Sequence, residues 1–411
     1  MADLTVVILT KNEEKNLRCC YGPNRKNTGR SDWEEYSKSH GIRRNGKNME
    51  KKKICFIAQF PPPIHGLSKA VETLYNSELS REYVFEKINI TNNKKIFKNL
   101  FAIGRSKADL FYFTISQSKG GNLRDLVILK LLELRHKRCL IHLHGGYYRT
   151  LVEEKLPKWQ RNMNYRAIGN IEGIIVLGKS LKWIFKGMIS EDKIHVVPNC
   201  VDNGYLLSDQ EFERKHRISE TRQERHVLYL SNFIKSKGYP EILEMAVMER
   251  TRCEAGGKKQ LHFDFAGKFF KKEDEEFFWQ YIKEQHIQDY ITYHGVVDGY
   301  KKRELLKNCE IFVLLTRYPN EGQPISILEA MGNGMAVVTT NHGGISDLVE
   351  NGVNGIVIDK KVKIPVIDIY KQLPSMNILE IGKRNWLDAT MKFTESNYLR
   401  NMKEKFDLIL K

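Results

Sequence analysis

The chain has 411 residues, 41% of them hydrophobic, a mean hydropathy of -0.47 and a net charge of +17. That length provides for two domains with sizeable cores, and the polar average excludes a chain dominated by membrane spans, since no apolar run approaches the roughly 20 residues a bilayer requires. Seven cysteines (Cys19, Cys20, Cys55, Cys139, Cys200, Cys253 and Cys309) are scattered without C-x-x-C spacing, which argues against a zinc or disulfide framework and for reduced thiols.

In chain order, residues 1–48 stand apart. "LTVVILTKNEEKN" reads as one strand, a turn and a helix start, followed by a polar, basic stretch without periodicity. A lone strand cannot bury both faces, so this N-terminal extension is expected to be poorly ordered. Its short apolar run lacks a basic flank and makes a poor signal peptide, so a cytoplasmic location is expected. From Met49 onward, short apolar runs alternate with helical stretches: "KICFIAQF", "LSKAVETLYNSEL", "ADLFYFTIS", "RDLVILKLLELR", "RCLIHLHG", "IEGIIVLG" with "KSLKWIFKGM", then "KIHVVPN". A second cycle begins at "RHVLYLSNF" and continues through "LHFDFAGKF", "YITYHGV", "CEIFVLLT", "MAVVTT" and "NGIVID". Short buried strands separated by helices give parallel sheets covered on both faces. The fold class is therefore α/β, two Rossmann-like doubly wound domains facing a cleft. The divisions are 1–48 as the extension, 49–205 and 206–385 as the domains, and 386–411 as a C-terminal helix able to cross back to the first domain.

Charge is unevenly spread. Residues 54–208 hold 23 Lys/Arg against 13 Asp/Glu, whereas residues 209–411 hold 31 against 30. The basic front half points to an anionic partner. RNA-binding signatures are absent, so a membrane surface is favoured over nucleic acid. In "KSLKWIFKGM", Lys182, Trp183, Phe185 and Lys186 are placed at such an interface, the lysines snorkelling; "NNKKIFKNLF" is a second basic stretch with aromatics interleaved.

The strongest chemical signal is "YPNEGQPISILEAMGNGMAVVTTNHGG". Glu321 and Glu329 flank a strand-to-helix loop in which Pro324 suits a first-turn position. The free amides of the stretch Gly322 to Ser326, in which Pro324 has none to offer, form an anion site at the head of the helix, suited to a diphosphate. Glu321 then accepts from sugar hydroxyls, and Glu329, two turns along a helix beginning near Gln323, from a more distant diol such as ribose. Neither a D-x-D pair at a strand end nor a His/Cys cluster with ligand spacing occurs in the sequence, so no metal is expected.

"EGQPISILEAMGNGMAVVTT" resembles the donor-site signature of retaining family-four glycosyltransferases of the GT-B fold, and other segments agree in order across residues 52–411. "YLSNFIKSKGYPEIL" is similar to the family's diphosphate-gripping loop, with Lys237 and Gly238 matching, but with Ser231 and Asn232 where Gly-Arg is usual and Lys235 as a partial substitute. "PPPIHGLSKAV" resembles its N-terminal glycine loop, with His65 replacing one glycine and Gly66 kept. "HLHGGYY" resembles the strand end that places a histidine over the donor sugar, here His144, while His142 is expected on the opposite face of that strand. "VVPNCVD" resembles the interdomain segment, with Cys200 in place of a glycine. The start of the extension resembles the opening of an inverting family-two enzyme, a fragment expected to carry no catalysis.

The resemblance implies a metal-independent, retaining hexosyltransferase without cofactor. His144, Glu321 and Lys237 are its catalytic candidates; Gly66, Asn232, Lys237, Gly322, Gln323, Pro324, Ile325, Ser326 and Glu329 are its donor-binding ones. A uridine nucleotide-sugar is the expected donor and a glycan or lipid-linked acceptor the expected partner, in bacterial surface polysaccharide synthesis. The base and ribose are expected near "AGKFF" and "HGVVD". The competing readings are a nucleotide-sugar epimerase on the same fold and a catalytically silent sugar-nucleotide-binding subunit.

Overall fold

Strand by strand, the alternating pattern closes into a pair of six-stranded parallel sheets. The computed structural model describes residues 50–62, 66–359 and 361–411; the expectations for residues 1–48 and for His65 lie outside them. The chain from Lys51 to Lys411 is one compact unit. Its front part runs β1 (Lys53–Ala58), α1 (Gly66–Tyr75), β2 (Val84–Asn89), α2 (Ile96–Arg105), β3 (Leu110–Thr114), α3 (Lys119–Leu134), β4 (Arg138–Leu143), α4 (Lys158–Gly169), β5 (Gly173–Val176) and β6 (Ile194–Val196). Its sheet order is β2-β1-β3-β4-β5-β6. The rear part runs α5 (Asp209–Thr221), β7 (Arg225–Leu230), α6 (Tyr239–Glu254), β8 (Leu261–Ala266), α7 (Lys272–Glu284), β9 (Ile291–Gly295), α8 (Gly299–Asn308), β10 (Ile311–Leu314), α9 (Ile325–Gly332), β11 (Ala336–Asn341), β12 (Gly355–Asp359), α10 (Val366–Gln372) and α11 (Ile378–Lys392). Its order is β12-β11-β10-β7-β8-β9.

Central strands such as "LFYFT" in β3 and "IFVL" in β10 are buried at every residue, as a sheet covered on both faces requires. In β1 the side chains alternate. Cys55 and Ile57 enter the core beneath α2, α3 and α4, while Ile54, Phe56 and Ala58 enter the opposite one beneath α1.

The expected terminal helix 386–411 is two helices. α11 stays with the rear sheet, and α12 (Glu395–Leu410), capped by Thr394, packs on the front one. Tyr398, Leu399, Met402, Phe406 and Ile409 line one stripe of α12 and are buried with Ile54, Phe56, Leu110 and Tyr112. The Phe406 ring meets Phe56, Tyr83 and Tyr112 edge-on. The stretch "KSLKWIF", read as a helix, is a run of tighter turns over Lys179–Phe185. Phe185 is fully buried, packed against Tyr148, so it is not an interfacial residue; only Trp183 of that pair is exposed. Cys55, Cys139, Cys200, Cys253 and Cys309 are free thiols.

In the rear part, buried Lys215 of α5 donates to the carbonyls of Leu306, Cys309 and Asn333 at 3.0, 2.6 and 2.7 Å. A cation at these last carbonyls of α8 and α9 satisfies groups the helices leave open. Burial pulls its ammonium down to about 8.

Because α12 completes the front core, Phe406→Ala is expected to cost about 3–5 kcal/mol. Urea unfolding followed by circular dichroism checks this; a loss under about 1 kcal/mol would show that α12 is dispensable to that core.

Candidate functional site

In an open parallel sheet, ligands collect at the strand carboxyl ends where the strand order reverses. In the rear sheet that point lies between β7 and β10, which pair directly, Val227 against Ile311 and Leu228 against Phe312. The two loops leaving it hold Lys237 and Glu321. After β7 the chain turns through 235–237 to Gly238, whose φ of 87° is left-handed. A Cβ there would lie 2.7 Å from the Leu315 carbonyl oxygen, so the Lys-Gly pair is set by close packing as well as by φ. After β10, Thr316 sits at the strand exit. Its hydroxyl donates to Glu321 Oε2 at 3.0 Å, and Lys237 Nζ lies 3.2 Å from the same oxygen. Lys237 also stands over the Tyr318 ring at 5.2 Å.

The helix of the glutamate motif begins at Ile325, with Pro324 at its cap position and not in its first turn. The start is two residues later than the sequence suggests, so Glu329 falls one turn in. Ile325 and Glu329, four apart on α9, share a face and line a cleft of about 310 Å³ together with Lys69, Asn199, Asp202 and Tyr205. That volume lies at the small end of the range for small-molecule sites. Glu329 is buried, and Lys302 Nζ of α8 sits 2.6 Å from its Oε1 and 4.4 Å over the Tyr205 ring. Burial pushes the Glu329 carboxyl up, and the Lys302 charge and hydrogen bond only partly offset it. Val297 and Asp298, of the expected "HGVVD" region, line the same cleft.

The front part meets this site backbone to backbone. A Cβ on Gly322 would lie 2.9 Å from the Gly145 Cα, and one on Gly145 would lie 2.8 Å from the Asn320 carbonyl oxygen. Gly344 N–H donates to the Gly322 carbonyl at 2.6 Å from the other side. His144 therefore stands at the loop that touches Gly322. Its ring lies 3.9 Å from that of His142, on the same side of the strand. Residues two apart in a strand share a face, so the expected opposite placement of His142 is corrected. His142 Nδ1 pairs with the Tyr112 hydroxyl at 2.7 Å; burial first, and His144 second, hold its ring neutral. His142 thus backs the His144 ring from within the core.

The remaining candidates divide. Ser326 and Ile325 are half-buried at the head of α9, Gly322 lies in the closed loop, and Gly66 opens α1 with open space around it. Gln323 is spent on joining the domains. Its side chain accepts from Asn199 N–H at 2.7 Å and donates to the Leu177 carbonyl at 3.1 Å, while Asn199 Nδ2 donates to its backbone carbonyl. Asn232 contributes its backbone carbonyl to the Tyr229 hydroxyl. Lys235, the suggested stand-in for a missing guanidinium, lies 4.6 Å over the Phe277 ring of α7, on a different partner from Lys237. Sequence reasoning missed Lys302, Tyr205 and Thr316. Only Thr316, five residues before Glu321 at a strand exit, carried a local signal. Among the described residues no group of three or more His, Cys, Asp or Glu is arranged to hold a metal ion, and no helix is long and apolar enough to cross a membrane.

Since the Glu329 carboxyl titrates higher folded than unfolded, its stabilising effect is complete below the unfolded value of about 4.3 and is lost as pH rises through the folded one. Glu329→Gln is therefore expected to gain on the parent protein as pH rises across that window. Urea midpoints measured from about pH 4 upward check this, and parallel pH profiles for the two proteins would refute it.

Comparison with known proteins agrees with this fold. Residues 209–366 match the family model described as glycosyl transferases group 1. The putative colanic acid biosynthesis glycosyltransferase WcaL of Salmonella typhimurium is 32% identical over 81 residues, 19% of this chain and 20% of that protein. The N-acetyl-alpha-D-glucosaminyl L-malate synthase of Bacillus anthracis is 26% identical over 168 residues, 40% of each chain. The chain thus spans well under half of these curated relatives' lengths. Among solved structures, Anabaena HepE in complex with UDP-glucose superposes with a TM-score of 0.65 at 16% identity, over 87% of this chain and 99% of its own. Residues 209–366 thus resemble the glycosyl transferases group 1 family, and the chain as a whole has the two-domain GT-B fold.

Proposed function

We propose that the chain is a retaining hexosyltransferase that moves a sugar from a nucleotide-sugar, a uridine diphosphate sugar by preference, to a glycan or lipid-linked acceptor. The observation that carries this reading is the pairing of Lys237 with Glu321 in the two loops flanking the rear switch point, beside the head of α9. The diphosphate would take its place at the amides of Ile325 and Ser326 and draw Lys237 toward its developing charge. Glu321, released from the lysine, would accept from a sugar hydroxyl, and Glu329 in the cleft from the ribose. His144, backed by His142, would stand over the sugar.

As the bond from the anomeric carbon to the diphosphate breaks, the acceptor oxygen would bond from the same face, its proton passing to the leaving phosphate. With Glu321 held by the Thr316 hydroxyl and occupied by a sugar hydroxyl, the proposal favours a direct displacement over a covalent carboxylate intermediate. The lysine and the helix amides supply the positive charge the leaving group needs, so a metal-independent reaction is the proposal. HepE, captured with UDP-glucose, supports a uridine donor, and WcaL supports a role in surface polysaccharide synthesis.

One observation favours a second reading, a silent sugar-nucleotide binder. Asn232 stands where the family has arginine, and Lys235 is held over Phe277. A thermal-shift screen of nucleotide sugars followed by product analysis separates the readings, because bound ligand raises apparent stability. A transferred sugar supports the proposal; epimerised donor, or binding without turnover, refutes it. Within the proposal, Lys237→Ala is expected to lower kcat about 100- to 1,000-fold with the fold intact. An unchanged kcat would remove Lys237 from the mechanism.

A further inference from the structure

We infer that the outer face of α2, α3 and α4 is a docking surface for an anionic lipid bilayer. These helices pack side by side, α2 on α3 and α3 on α4, over one face of the front sheet and share its core. Each turns an apolar pair, four residues apart, away from that core. Phe97 and Phe101 on α2 are 84% and 65% exposed, Leu123 and Val127 on α3 are 48% and 46%, and Trp159 and Met163 on α4 are 55% and 44%. Residues four apart share one side of a helix. Three neighbouring helices therefore present six large apolar side chains on one outer surface. An isolated exposed leucine is ordinary in a folded protein; contiguous pairs on adjacent helices mark an interaction surface.

Charge identifies the occupant. Residues 92–107 carry Lys94, Lys95, Lys98, Arg105 and Lys107 with no acidic residue, and residues 158–169 carry Lys158, Arg161 and Arg166, again with none. Lys94, Lys95 and Lys98 are exposed beside Phe97. Aromatic and aliphatic side chains flanked by lysine are the composition that settles at a headgroup boundary, the rings at the acyl edge and the ammonium groups on the phosphates. A second copy of this chain would set basic α2 against basic α2, which like-charge repulsion opposes.

The surface is also well placed. Each of the three helices leads within a few residues into the next parallel strand, so its amino end lies at the carboxyl edge of the sheet, the edge that carries His144. Phe97 and Trp159 are the second residues of α2 and α4, and so sit toward that edge. The expected interfacial pair Trp183 and Phe185 is replaced here by a different face of the same domain, since Phe185 belongs to the core.

Co-sedimentation of the full chain with vesicles tests the inference, using phosphatidylcholine alone and an equimolar mixture with phosphatidylglycerol. Binding to the mixed vesicles is expected, weakening with salt. Phe97→Ser/Phe101→Ser and Lys94→Gln/Lys95→Gln/Lys98→Gln are each expected to reduce it at least about tenfold, with the unfolding temperature unchanged because these side chains are exposed. Absence of binding to the mixed vesicles overturns the inference. So does binding that survives both variants, which would place lipid contact elsewhere, including the first fifty residues. A change of oligomeric state in either variant by light scattering would make this face a protein interface and overturn it as well. The readout is lipid binding alone, so its failure leaves the transfer proposal standing, and a chain without transferase activity can still bind the vesicles.

Discussion

Two glycine loops, one from each domain, touch through their backbones at Gly145 and Gly322, and the site is built around that contact. No side chain fits between them. The contact fixes how closely the His144 strand end approaches the Glu321 loop, and Gly344 braces the loop from behind. Gln323 makes the closure specific, since its amide satisfies a donor on Asn199 and an acceptor at Leu177 that would otherwise be buried without partners. Ser180 and Asp347 form a second crossing, with the serine hydroxyl and N–H both directed to the carboxylate. The cleft that remains is therefore bounded by both domains.

Within that frame, two buried glutamates are each held by one lysine, and the two pairs differ. Lys237 stands on a loop, with Tyr318 beneath it and Glu321 as its anionic partner, so an incoming phosphate competes for a cation already in place. Lys302 stands on a helix, its charge shared between Glu329 and the face of Tyr205. The first arrangement can be exchanged and the second is fixed. That division suits a group that must follow developing charge in one place and a group that must hold a hydroxyl still in the other.

The front domain combines two unlike surfaces on one sheet. The face toward α1 and α12 is closed by a returning helix from the far end of the chain, which ties the chain's end to its front core. The other face is covered by helices whose outer sides carry lysine and exposed rings. A parallel sheet needs cover on both faces, but cover can be apolar outside as well as inside when something else meets it.

The sequence alone determined the strands, their alternation with helices and the neighbourhood of the glutamate motif. Each of these rests on local spacing: runs of buried β-branched and aromatic residues, glycines at forced turns, and two acids eight positions apart. It also marked Lys237 with Gly238 through their resemblance to a known diphosphate-gripping loop, while the left-handed φ of Gly238 is a finding of the structure. Tertiary structure alone decided which lysine meets which acid. Lys235 and Lys237 are two residues apart and equivalent on paper, yet one lies on Phe277 and the other on Glu321. Lys302 reaches Glu329 across 27 positions, a partnership no local pattern encodes. Trp183 and Phe185 look alike in sequence, and only the packing against Tyr148 sends one inward. Spacing fixes what a residue's neighbours along the chain can do; which groups share a cleft depends on how sheets and helices stack, and that is settled by the whole chain at once.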